Sequence, residues 1–166
     1  MIFISVGTQL AFDRLLQLTE GVARELSVDE PIICQSGPSD FSSTIMTVKK
    51  FIEEDEYNAY LSESRLFIGH AGMGSIIKCL DFGVDAVLLA RDASLGEHRN
   101  NHQFSTCEAF SDVSNVVYMS KDEKSFRSKL KEKILKSGEQ NVPAAQRQLS
   151  PYQELMAECL QTLVLD

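Results

Sequence analysis

The densest group of chemistry-bearing residues follows the apolar run Leu66-Phe67-Ile68, which gives way to Gly69-His70-Ala71-Gly72-Met73-Gly74-Ser75. A buried strand that ends in small residues and passes straight into a helix leaves the first helical N–H groups unpaired and gathers the positive end of the helix dipole at one point. Such a turn can hold an anion. Glycines at 72 and 74 let backbone come close to a phosphate, Ser75 adds a hydroxyl, and His70 at the strand end can donate to a phosphate oxygen. Two common phosphate loops do not fit: a G-x-G-x-x-G starting at Gly72 needs glycine where Ile77 stands, and no G-x-x-x-x-G-K-[ST] occurs. His70 has no close ligand partners in sequence for a metal role. A tight strand-to-helix turn with no ligand accounts for the same residues, and composition does not choose between the two.

The elements that must position this turn are legible from hydrophobic period. Short β-rich runs alternate with helix-period segments, the pattern of βα units around a parallel sheet. The expectation is a single Rossmann-like α/β domain with a parallel sheet of about six strands and helices on both faces. Ile2 to Val6 reads as a buried strand, Gly7-Thr8-Gln9 as its turn, and the next segment as a helix with Phe12, Leu15, Leu16, Thr19, Val22, Ala23 and Leu26 on its core face. Strands are expected over Pro31 to Gln35, Thr44 to Phe51, Arg65 to Gly69, Asp85 to Ala90 and Asn115 to Met119. The acidic group Glu53 to Glu56 opens a helix, where carboxylates suit the dipole better than they suggest a metal site. Ser75 to Gly83 reads as a helix, and a polar loop from Arg91 to His98 leads into another ending at Phe110. Lys121 to Lys136 is a basic helix with a core seam of Phe126, Leu130 and Ile134.

The globular domain is assigned to residues 1–137, a connector to 138–149 and a C-terminal amphipathic helix to 150–166. Ser150-Pro151-Tyr152-Gln153 has capping-box form, and Tyr152, Leu155, Met156, Cys159, Leu160 and Leu163 share one side of the helix that follows. That stripe can pack on its own domain or on a partner.

The chain has 166 residues, enough for one domain to bury a core without staples. Its four cysteines, Cys34, Cys79, Cys107 and Cys159, are widely spaced and read as buried, reduced thiols. Met1 is followed at once by a strand-like run, which predicts no cleaved signal, and no apolar run approaches a membrane span. A cytoplasmic location follows as an expectation. The formal net charge of −8 argues against nucleic acid or an anionic membrane as the main partner, so any membrane contact should be indirect.

His70-Ala71-Gly72-Met73-Gly74-Ser75, taken with Ser94-Leu95-Gly96-Glu97-His98-Arg99-Asn100-Asn101-His102-Gln103, resembles the donor-site signature of the glycosyltransferases that include the peptidoglycan lipid-linked GlcNAc transferase. The opening from Met1 to Leu15 resembles the free-standing C-terminal-type halves of glycosyltransferase family 28. Among these are bacterial exopolysaccharide subunits and the catalytic subunit of the dolichol-linked GlcNAc transferase. The likeness spans residues 1 to about 120 in three blocks and is specific for family, not for substrate. It implies a two-lobed GT-B enzyme split into two chains, this chain being the donor lobe. Length agrees, since one Rossmann-like domain is present where a complete enzyme needs two.

The resemblance implies that Gly72, Gly74 and Ser75 meet the diphosphate of a UDP-sugar, with His70 and Ala71 beside it and Gly7 and Thr8 lining the same pocket. Phe51 and Ile52 match positions that flank the uracil ring; read without the resemblance, they are core residues. His102 and Gln103 match a pair that hydrogen-bonds sugar hydroxyls, a task that suits a carboxamide with donors and acceptors. Glu97 and His98 lie in the same loop, where they can position the sugar, face a partner or simply be solvated.

The implied reaction is inverting transfer of a hexose-type sugar to a lipid-linked acceptor. No metal motif and no permanently bound cofactor is expected. The partner would be a membrane-associated, acceptor-binding subunit that recruits the chain to the inner membrane face, and homo-oligomers are compatible with this. The acceptor's base would come from the partner or from His98.

Two departures from the family pattern stand out. Lys78 occupies a position where many members carry an acidic residue for the ribose hydroxyls, and a cation cannot accept those hydrogen bonds. Lys78 could reach a phosphate, pair with Asp81, or remain on the surface. Val84-Asp85 stands where a proline usually follows the helix glycine. Beside the catalytic reading stands a sensor or scaffold that binds a nucleotide sugar without turnover.

Overall fold

The computed structural model describes residues 1–110 and 116–136; the connector and the C-terminal helix expected after residue 137 lie outside them, as does Cys159. Six strands form one sheet among the described residues: β1 (Ile2–Ser5), β2 (Ile32–Gln35), β3 (Thr47–Lys49), β4 (Leu66–His70), β5 (Asp85–Leu89) and β6 (Val117–Ser120). Their spatial order is β3-β2-β1-β4-β5-β6, and every pairing is parallel. The Rossmann-like α/β architecture expected from the alternating periods is therefore present.

Parallel strands covered on both faces read as continuous apolar runs, which is why β1, β4 and β5 lack the alternation of a half-exposed strand. Helix α1 (Asp13–Glu25) and helix α5 (Glu123–Leu135) cover one face, burying Leu15, Leu16 and Val22 with Phe126, Leu130 and Ile134 against Ile4, Ile68 and Val87. Helices α2 (Glu54–Glu63), α3 (Met73–Asp81) and α4 (His102–Phe110) cover the other, where Leu61, Ile76, Cys79 and Cys107 pack with Phe3, Phe67 and Leu88. Each fully buried Leu, Ile or Phe contributes about 1.5–3 kcal/mol relative to exposure. The three described cysteines are unpaired and buried. Burial pushes the Cys34 thiol up to about 12 and Cys107 to about 11, so both stay protonated.

Most elements lie within two residues of their expected bounds, and two differences bear on the clefts. The strand expected over Thr44 to Phe51 shrinks to three residues, because only Thr47, Val48 and Lys49 find ladder partners on β2. The chain then leaves the sheet as the buried side chain of Gln35 accepts the Ile52 N–H at 3.0 Å. Helix α3 begins at Met73, two residues before the expected start, since Gly72 in extended conformation is its N-cap. In the loop after β5, a short 3₁₀ turn over Ala93–Leu95 forms where Asp92 accepts from the Ser94 N–H.

The connection from β1 to β2 runs toward one edge of the sheet, whereas β4 and β5 build toward the other. Strand order thus reverses between β1 and β4. Open α/β sheets bind ligands beyond the carboxyl ends of strands at such a point. Here the register sets Ser5 beside Gly69, which brings the turn after β1 next to His70.

Candidate functional site

His70 ends β4, and its imidazole is wedged between two glycines. A Cβ added to Gly72 would lie 2.5 Å from His70 Nε2, and one added to Gly7 would lie 3.2 Å from its Cε1. Gly7 also needs its positive φ of 81°, whereas the backbone at Gly72 is ordinary extended structure. Glycine at 72 is thus demanded by the ring. Gly74 meets nothing within 4 Å of its missing side chain and leaves an opening in front of the first turn of α3. That turn has no side-chain cap, so its N–H groups face outward as donors.

Burial, with Arg91 and His98 adding positive charge, pulls the His70 pKa down to about 4; the Ser5 backbone acts weakly in the opposite sense. His70 is therefore a neutral imidazole near pH 7. Its Nδ1 is buried without a well-formed hydrogen bond. The histidine can offer a ligand a neutral N–H donor rather than a cation.

Two clefts meet at this ring and share Gly7, Thr8 and His70. The larger, about 520 Å³, is lined by Gln35, Phe51, Ile52, Glu53, Glu54, Tyr57, Gly74, Ser75 and Lys78 as well. The smaller, about 300 Å³, adds Val6, Gln9, Leu10, Arg91, His98 and Gln103. Phe51 is 58% exposed while Ile52 is 4% exposed, so one presents an aromatic face at the larger cleft and the other is chiefly core. The aromatic floor behind them is Tyr57 edge-on to Phe3, with ring centroids 4.9 Å apart.

Most residues singled out in the sequence converge here, but four have other surroundings. Ala71 is fully buried and packs with the core, and Gly72 braces the His70 ring without lining either cleft. Glu97 lines neither cleft: its carboxylate accepts from Arg14 Nε at 2.7 Å and Nη2 at 2.6 Å, and from the Asp92 N–H at 2.8 Å. His102 is exposed at the start of α4, outside both clefts. Its neighbour Gln103 is buried, and its Oε1 accepts the Arg91 N–H at 3.0 Å, which leaves Nε2 as the end that can address a ligand. His98 Nδ1 accepts weakly from the Asn100 N–H at 3.4 Å, which keeps Nε2 available to the cleft.

Lys78 does line the larger cleft, yet it reaches across to α2. Its Nζ lies 3.1 Å from Asn58 Oδ1, 3.3 Å from Glu54 Oε1 and 4.8 Å from the centre of the Tyr57 ring. Beside the expected choices of phosphate, Asp81 and open surface, the structure adds a bridge from the last turn of α3 to α2. A carboxylate, Glu54, still stands at the cleft beside the lysine.

Sequence reasoning passed over Arg91, Gln35, Tyr57 and Glu54. The one with a sequence signal is Arg91, a charged residue directly after the apolar run Ala86 to Ala90. Such a residue follows a buried strand into the sheet's carboxyl edge and is rarely buried unless paired. Burial lowers its pKa to about 10, and it stays charged at neutral pH.

The glycosyltransferase family 28 C-terminal domain matches residues 1–160. The chain belongs to this family. Over 80 residues, 48% of this chain and 26% of the relative, it is 28% identical to the UDP-N-acetylglucosamine transferase subunit ALG13 of Candida albicans. Among solved structures, the glycotransferase of kitacinnamycin superposes with a TM-score of 0.65 at 17% identity, covering 99% of this chain and 42% of the other. Acinetobacter baumannii MurG follows with a TM-score of 0.54, 18% identity and coverage of 96% and 49%. SnogD from Streptomyces nogalater gives 0.51, 16% identity and coverage of 98% and 43%. The family 28 chain therefore spans less than half the length of each of these proteins, and the structural matches establish its fold as that of one part of a GT-B glycosyltransferase. Among the described residues no helix is long and apolar enough to cross a membrane.

Proposed function

We propose that this family 28 chain is the donor-binding, catalytic subunit of a two-component inverting glycosyltransferase. It transfers a sugar from a UDP-sugar to a lipid-linked acceptor held by a membrane-associated partner, in exopolysaccharide or related glycan synthesis. The observation that carries this reading is the junction of two clefts at Gly7, Thr8 and His70, beside the uncapped start of α3. Similarity to a curated UDP-N-acetylglucosamine transferase subunit supports both the donor class and the dependence on another chain.

In this reading the uracil ring lies against Phe51 with Ile52 behind it, and the diphosphate meets the N–H groups of α3, the Ser75 hydroxyl and the neutral His70. The sugar extends into the smaller cleft toward Gln103 and His98. As the acceptor oxygen bonds to the anomeric carbon and the bond to the phosphate oxygen breaks, negative charge grows on the departing UDP. Preorganised N–H donors stabilise that charge. The acceptor proton goes to a base, His98 or a partner group. Closure by the partner excludes water from an otherwise open site.

The deciding experiment is calorimetric titration of the chain with UDP and a panel of UDP-sugars, followed by transfer assays on the chain co-purified with its partner. Binding together with transfer that requires the partner is the expected result. A chain that binds no uridine nucleotide, alone or in the complex, sinks the proposal. A second reading, a nucleotide-sugar sensor without turnover, is favoured by Lys78 in the donor cleft. Binding without transfer in the complex, with His70→Ala and Gln103→Ala causing no further loss, would select it.

A further inference from the structure

Arg91 is almost wholly buried, 3% exposed, yet among the described residues no carboxylate bonds to its guanidinium. Its guanidinium donates instead to four backbone carbonyls. Nη2 reaches Val6 O at 2.6 Å and Leu10 O at 2.8 Å, and Nη1 reaches Ala11 O at 2.7 Å and Glu97 O at 2.9 Å. Three of those carbonyls belong to the β1–α1 connection and the fourth to the loop after β5. The backbone N–H of the same residue holds Gln103 Oε1. The Phe12 ring lies beneath the guanidinium, 4.7 Å from its carbon.

Burying a charge is expensive, and an apolar side chain of similar size would fill the space at less cost. The planar fork of arginine does what an apolar residue cannot, tying several backbone segments in one fixed geometry. The segments it ties are the two walls of the smaller cleft: Gly7 to Leu10 on one side, His98 and Gln103 on the other. A second tie, Arg14 to the Glu97 carboxylate, closes the same gap one layer out. Neither tie touches α2 or the first turn of α3, which supply most of the part of the larger cleft that the two clefts do not share.

We propose that Arg91 is a positioning residue that fixes the separation of the two walls of the smaller cleft, and so sets how the sugar of the donor is held while leaving the nucleotide's own contacts unchanged. This rests on the functional reading above, with UDP in the larger cleft and its sugar in the smaller. Lysine at 91 keeps the charge but cannot bridge four carbonyls.

The test compares wild type with Arg91→Lys in the full chain, co-purified with its partner, by three measurements. These are calorimetric affinity for UDP, affinity for the best UDP-sugar, and hydrogen exchange over residues 7–12 and 92–101. The expected result for Arg91→Lys is UDP affinity within about threefold of wild type, loss of about tenfold or more in UDP-sugar affinity and in kcat/KM, and faster exchange in those two segments alone. Equal weakening of UDP and UDP-sugar with a matching fall in Tm would make Arg91 merely structural and overturn the proposal. So would a variant indistinguishable from wild type. If wild type itself binds no uridine nucleotide, the functional reading fails and this assignment falls with it; wild-type binding with an unaffected variant overturns this assignment alone.

Discussion

The two clefts that meet at His70 are built by different means. The larger is lined by side chains that helices α2 and α3 deliver, Glu54, Tyr57 and Ser75 from first turns and Lys78 from the last turn of α3, and the Lys78–Glu54 pair spans the two helices. The smaller is made of loops with little regular structure, and it is held open by a buried cation and a partly buried ion pair. A cleft between helix starts takes its shape from the sheet and tolerates changes at its rim. A cleft between loops has only as much shape as its internal hydrogen bonds supply, so substitutions beneath it should be felt more strongly than substitutions at the mouth of its neighbour.

The sharpest way to break this comparison is at the wall the clefts share. Gly72→Asp forces a side chain into the space of the His70 ring, with its Cβ at 2.5 Å from Nε2, and sets a carboxylate beside the proposed phosphate position. UDP affinity measured by calorimetry should fall by at least about 100-fold, equivalent to about 2.7 kcal/mol, in both chain and complex. Retained binding would place the nucleotide elsewhere.

Next in size is Arg14→Met, which leaves the Glu97 carboxylate with the Asp92 N–H as its remaining bond. Removing one partner of this partly buried pair should cost about 1–3 kcal/mol of stability in denaturant titration. It should also weaken UDP-sugar more than UDP. A loss confined to stability would separate the ion pair from the shape of the smaller cleft.

The third prediction concerns pH. His70 releases its proton more readily in the folded chain, near pH 4, than the ordinary value of 6.5, so the unfolded chain binds more protons between those limits. Stability from the neutral ring is therefore complete above about pH 6.5 and is lost as pH falls toward about 4, by up to about 3 kcal/mol. Denaturant midpoints measured against pH should show that slope, and His70→Asn should flatten it; an unchanged slope would mean that the ring is not titrating from a buried site.

The smallest effect belongs to Lys78→Ala. Its partner Glu54 is exposed, and such pairs contribute less than about 1 kcal/mol. Tm should barely move, while UDP affinity should change by no more than about threefold if the ribose contact rests with Glu54. A larger gain in UDP affinity on removing the lysine would instead identify Lys78 as an obstacle in the donor cleft.

What could be read in advance followed from period and from local chain geometry. The run Leu66 to Ser75 declared a strand, a glycine turn and a helix start, and the seam Phe126, Leu130 and Ile134 declared the buried face of α5, because each depends on neighbours within a few residues. The extent of β3 was not legible, for it depends on which of its residues find partners on β2 and on Gln35 capturing the Ile52 N–H. Glu97 carried no local sign that Arg14, 83 residues away, would claim its carboxylate. Gly72 was legible as a glycine needed for close approach, but the group that approaches is His70.

The sequence by itself determined the alternation of strands and helices, the anion-ready start of α3, and membership of the family whose model spans residues 1–160, because period and motif are properties of contiguous residues. Only the tertiary structure decided which polar residues line a cleft and which are committed to holding loops together. Arg91 and Gln103, like Lys78 and Glu54, become partners through strand order and helix placement, and hydrogen bonds between segments far apart in the chain exist only once the sheet has set their distance.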